Sequence, residues 1–231
     1  MELSLRIILN EKLFLKNPEE SVLGRKIVTE GLKLINNLGF EDFTFKKLAQ
    51  KIETTEATIY RYFENKHRLL VYLVNWYWTY LEYKVMIQLN NISDPKEKIK
   101  KVISALVIPA ANDFTDVYIE EKEVFDLVMY EGSKSYLTRN VSNDNKDRLF
   151  KPYKDLCARI SNVILEVNPK YKYPHSLAST LLEMSHAQKF FKLNLPALTD
   201  FSKDKDDLLL LDFLEKMVFD NLGIRGIYVE C

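Results

Sequence analysis

Two stretches of helical apolar spacing separated by only three residues constrain this chain more than anything else in it. In "FTFKKLAQKIETTEATIYRYF", Phe45, Leu48, Ala49 and Ile52 recur three or four residues apart, and Ala57, Ile59, Tyr62 and Phe63 do so again after "ETT". Each stretch spans only about two turns, too short for a helix to be stable by itself in water, so both must pack on each other and on a third element. Hydroxyls stand where caps are needed, Thr44 before the first stretch and Thr55 before the second.

The rest of the chain agrees with a helical protein. Six glycines and seven prolines in 231 residues are too few for a turn-dense β sandwich or barrel, and 47% hydrophobic content is ample for a core. Apolar periodicity and capping signals place a first helix from Pro18 to Leu38, with Asn17 or Ser21 as its cap and Gly39 as a left-handed stop. A long helix capped by Asn65 runs to Leu89, and Asp94 and Pro95 open another that Pro109 ends or kinks. Further helices are expected over Glu120–Tyr136, Asn145–Val167, His175–Leu193 and Asp204–Leu222. Leu3, Leu5, Ile7, Leu13 and Leu15 alternate with polar residues, a hint of extended structure at the start. The expected architecture is all-α: an arm (1–17), a three-helix head (18–65), and a long helix leading into a helical bundle (66–231).

Short helices joined by a tight turn behind a longer helix form a helix-turn-helix. Such helices cross closely, which suits the small Ala49, and the second must bury a thin stripe while its N-terminal half faces a major groove. Ile59 and Phe63 supply the stripe, against Phe45, Leu48 and Val28. Thr55, Glu56, Thr58, Tyr60 and Arg61 are left for phosphates and base edges. The formal net charge is zero, yet Val22–Leu70 holds nine basic and six acidic residues, a modest local excess of three.

The segment "FTFKKLAQKIETTEATIYRYFENKHRLL", behind a helix ending "LINNLGF", resembles the DNA-binding domain of TetR-family transcriptional regulators. Thr44, Ala49, Thr55, Tyr60, Phe63, Lys66, Leu69 and Leu70 fill the family pattern, and the resemblance covers about Ser21 to Leu70. It implies that Thr44, Tyr60 and Lys66 hold phosphates, with Lys46 on the same side, and that Thr55, Thr58 and Arg61 read the groove. Arg61 has the fork that guanine accepts, and Glu56 could accept from a cytosine amino group or simply be a solvated helix-start residue. Glu53 stands where the family commonly has Gly, so the turn either avoids positive φ or stores strain.

The resemblance further implies a homodimer that binds double-stranded DNA, a repressor released by a small-molecule effector. Leu208–Leu211, Phe213, Leu214, Met217, Val218 and Leu222 cover more of one helix than a single buried face needs. Leu182, Phe190, Leu210, Phe213, Leu214 and Met217 are therefore candidates for a dimer interface. Trp76, Tyr80, Tyr83 and His186 are candidates for an effector pocket, although an aromatic stripe is more often core.

Other functions find little support. No HExxH, glycine-rich phosphate loop or GxSxG is present, and three scattered histidines offer no nucleophile with its base, so no enzyme, metal or cofactor is expected. Two distant cysteines, Cys157 and Cys231, suit a reducing compartment. The longest uncharged run, Leu69–Leu81, is too short to span a bilayer, and a cytoplasmic location with no membrane partner is expected. The alternative to a regulator is an α-helical ligand-binding or catalytic protein whose helix-turn-helix serves only packing.

Overall fold

Ser21, not Asn17, starts the first long helix. Asn17 caps only a 3-10 turn, Pro18–Glu20, where its side chain accepts from the Glu19 amide. Ser21 is extended (φ −147°, ψ 149°), and its hydroxyl accepts from the Gly24 amide at 3.0 Å to open α1, Val22–Leu38. A Cβ at Gly24 would lie 2.3 Å from the Pro18 carbonyl oxygen, so the turn folds back over α1 only because this position has none. At the far end Gly39 has φ 78° and ψ 156°, a region open to glycine, and its amide donates to the Ile35 carbonyl at 2.8 Å.

The structure, a computed structural model, describes residues 7–109 and 118–224. Among them are ten α-helices and no strand. After α1 come α2 (Phe45–Lys51), α3 (Glu56–Tyr60), α4 (Lys66–Leu89) and α5 (Pro95–Val107). They are followed by α6 (Glu121–Glu131), α7 (Val141–Lys146), α8 (Lys151–Val167), α9 (Pro174–Asn194) and α10 (Leu208–Asn221). The caps expected at Thr44, Thr55, Asn65 and Asp94 are all made, each side chain accepting from an amide of the first turn. No described helix is long and apolar enough to cross a membrane.

The described residues form two compact units. The first comprises residues 7–80 and 118–153, the second 81–109 and 154–224. In the first, α1 packs on α2 and α6, and α2 on α3, around Ile27, Val28, Leu32, Leu48, Ile59 and Phe63, all fully buried. Every residue of α4 from Leu69 to Leu81 is buried, which explains why this helix shows no polar stripe. In the second unit α5 packs on α9 and α10, and α9 on α10. Its core includes Ile99, Val102, Ile160, Leu181, Leu214 and Val218.

Several boundaries differ from the periodicity reading, each for a local reason. The helix expected over Asn145–Val167 is two: α7 ends at Lys146, Arg148 takes φ 59°, and α8 begins only at Lys151, with Pro152 in its first turn. The helix expected to reach Tyr136 finishes at Glu131 and continues as a 3-10 turn, Gly132–Ser135. That expected from Asp204 begins at Leu208, because Asp207 takes φ 61°. Near the start, Glu11–Leu13 is a 3-10 turn, so Leu13 is not extended, while Leu3 and Leu5 lie outside the described residues.

Candidate nucleic-acid interface

The Thr44 hydroxyl accepts from the Lys47 amide at 3.2 Å, and the Thr55 hydroxyl from the Thr58 amide at 3.3 Å, so each short helix is closed by its own side chain. The turn between them ends with the Thr54 amide donating to the Ala49 carbonyl at 2.9 Å. Glu53 in that turn has φ 59°, so the turn does not avoid positive φ; it imposes a left-handed conformation on a residue with a side chain.

On α3, Ile59 is fully buried, and Tyr62 and Phe63 follow it into the core. Ala57 is exposed, a correction to its expected place on the buried stripe. It shares the open side with Thr55, Glu56, Tyr60 and Arg61, while Thr58 is half-buried and within 3.0 Å of the Thr55 hydroxyl. The Tyr60 ring meets Phe45 edge-on at 5.1 Å yet stays 48% exposed, which fixes the ring and leaves it accessible. Tyr62, two residues on, is instead locked inward by a 2.8 Å hydrogen bond with Ser21.

The cations of the head separate into two kinds. Lys46 and Arg61 are exposed and make no ion pair among the described residues. Lys66 is engaged: its ammonium donates to the carbonyls of Phe40, Glu41 and Phe43 at 2.9, 2.9 and 3.1 Å and lies 4.7 Å from the Phe40 ring centre. All three of its N–H donors are therefore used on the loop between α1 and α2, a packing role where the family resemblance implied phosphate. From α6, Glu131 accepts from the Phe40 amide at 2.9 Å and holds the same loop. Sequence periodicity gave no sign of Glu131, since a buried carboxylate looks like any other acid until its partner is known.

The candidate pocket residues fall into different units. Trp76 and Tyr80 are buried in the first, stacked at 5.3 Å and 9°, with the Tyr80 hydroxyl donating to Glu121 at 3.1 Å. Half-buried Tyr83 and buried His186 belong to the second. His186 Nδ1 lies 2.9 Å from the Leu182 carbonyl, and burial holds its imidazole below the usual histidine range, so it is neutral and satisfied near pH 7. No cluster able to hold a metal occurs among the described residues.

Of the interface candidates, Leu182, Leu210 and Leu214 are fully buried within the second unit and belong to its own core. Phe190 and Met217 are half-buried and Phe213 is exposed. Around them Leu193, Leu208 and Leu209 face solvent, at 58%, 63% and 54% exposure. Lys189 and Lys192 of α9 both pair with Asp207, the N-cap residue of α10, so the end of α9 is tied to the start of α10.

The model of "Bacterial regulatory proteins, tetR family" matches residues 27–73, the segment running from α1 into α4. Similar solved structures show an all-α, TetR-like fold. AibR, solved with isovaleryl coenzyme A and operator DNA, is 17% identical and covers 84% of this chain and 98% of its own, with a TM-score of 0.58. A TetR-family transcriptional regulator from Bordetella parapertussis 12822 is 13% identical, with coverages of 84% and 92% and a TM-score of 0.56. The superantigen PfiT is 17% identical, with coverages of 90% and 97% and a TM-score of 0.58. No curated protein sequence matches the chain.

Proposed function

We propose, from a chain that carries the TetR-family helix-turn-helix domain, that it is a ligand-responsive repressor binding a pseudo-palindromic DNA site as a homodimer. The observation that carries the reading is the open face of α3. Ile59 is used by the core, yet Thr55, Glu56, Tyr60 and Arg61 remain exposed, and Arg61 and Lys46 have no counter-ion among the described residues. Lys46, Thr44 and Tyr60 meet phosphates in this account, and Arg61 reads a base edge from the end of α3. Thr55 and Thr58, already bonded to each other, set the shape of that face.

Dimerisation would be supplied by the exposed apolar residues of α9 and α10, Leu193, Leu208, Leu209 and Phe213, which need cover that their own unit does not provide. Effector binding in the second unit would shift the spacing of two recognition helices, so that both half-sites can no longer be engaged together. AibR, solved with both a coenzyme A ester and operator DNA, supports this combination of partners.

The test is selection of bound sequences from a random duplex pool at low salt, with Tyr60→Ala/Arg61→Ala as control. Enrichment of a palindrome that the control loses is the expected result. No enrichment, with or without added ligands, would favour a helix-turn-helix retained for packing, a reading to which the shared fold of the superantigen PfiT lends some weight.

A further inference from the structure

The first unit contains a cavity of about 500 Å³ lined by side chains from residues 7–20 and by Tyr72, which the DNA-binding reading does not use. We propose that it is a binding site for a lipophilic cation, a small organic molecule with an apolar body and a delocalised or shielded positive charge.

The walls give the chemistry. Ile7, Ile8, Phe14, Leu15 and Tyr72 supply apolar surface, and Glu11, Glu19 and Glu20 supply carboxylates, with no Lys, Arg or His among the described lining residues. Ile8 and Leu15 are 79% and 67% exposed, so part of the apolar wall faces water in the absence of an occupant. The volume lies within the range of small-molecule sites, roughly 300–1,000 Å³.

Glu19 anchors the charge. One of its oxygens accepts from the Tyr72 hydroxyl at 2.7 Å and from the Tyr118 hydroxyl at 2.6 Å. No cation of the described residues lies within ion-pair distance of its carboxylate. Arg25, six residues on, donates instead to the main-chain carbonyl of Glu19, at 3.1 and 3.0 Å. Burial is the first cause that raises both tyrosines above the usual range, followed at Tyr72 by the neighbouring Tyr118 and then Glu19, and at Tyr118 by Glu19, so both remain hydrogen-bond donors. A half-buried carboxylate with no counter-ion among the described residues favours a cation of low hydration energy whose body covers Ile8 and Leu15. The Phe14 ring, half-buried and held edge-on by the buried Tyr72 at 6.3 Å, adds an aromatic surface to the same wall.

Tetraphenylphosphonium and tetraphenylborate, alike in shape and opposite in charge, separate charge recognition from greasy adsorption. Titration calorimetry on the full chain reads binding directly, independent of whether DNA is bound. The phosphonium should bind with one-to-one stoichiometry and the borate at least about tenfold more weakly. Glu19→Gln keeps an acceptor for both tyrosines and should weaken the phosphonium by about tenfold, while Glu11→Gln, outside that network, should weaken it by about threefold. Equal affinity for the two ions overturns the proposal, as does unchanged phosphonium binding in the folded variants. If Glu19→Gln does not fold, Glu11→Gln decides alone.

Discussion

The third helix of the head and the α9–α10 pair of the second unit both leave side chains uncovered, but of opposite kinds. On α3 Ile59 is buried and the exposed groups are polar apart from Ala57, with Arg61 at its end and Lys46 on α2 making no ion pair among the described residues. On α9 the charges of Lys189 and Lys192 both pair with Asp207 at the N-cap of α10, and the exposed groups of the two helices include Leu193, Leu208, Leu209 and Phe213. Uncovered apolar surface is stabilised by another protein surface, whereas uncompensated cations are stabilised by a polyanion. In the proposed function the two faces take two different partners.

The most severe way to break this contrast is to charge the apolar side. Leu209→Asp with Phe213→Asp should weaken self-association by about 3 kcal/mol, more than a hundredfold, as read by sedimentation equilibrium with folding checked by circular dichroism. An unaltered dimer would remove these residues from the interface.

Within the head, Lys66→Ala should lower unfolding stability by about 2 kcal/mol in urea titration, because three loop carbonyls lose a charged donor. Arg61→Ala should leave stability nearly unchanged and instead cost about 1.5 kcal/mol of discrimination at one base pair of a selected site. If Arg61→Ala weakened all duplexes equally, Arg61 would be a phosphate contact. The smallest effect belongs to the turn: Glu53→Gly should stabilise the protein by up to about 1 kcal/mol, since φ 59° is strained for glutamate and free for glycine. A loss of stability there would mean that the Glu53 side chain has a compensating role.

Much of this was legible in the sequence where local signals agreed. The caps Thr44, Thr55, Asn65 and Asp94, the stripe of Ile59 and Phe63 and the all-α class follow from spacing that local chemistry enforces. Ends set by backbone conformation were not legible: Arg148 and Asp207 take positive φ with no glycine to announce it. Nor does periodicity separate exposed from engaged cations. Lys46 and Lys66 look alike on paper, and only the converging carbonyls of Phe40, Glu41 and Phe43 tell them apart. The same limit hid Glu19 and Glu131, whose partners lie 53 to 99 residues away in the chain.

The division between free and engaged cations is tested most directly by the salt dependence of duplex binding. For the wild type, log affinity should fall steeply with log salt; Lys46→Ala should reduce that slope by about one, and Lys66→Ala should leave it unchanged in folded protein. A wild-type affinity indifferent to salt, or a slope reduced as much by Lys66→Ala as by Lys46→Ala, would contradict the account.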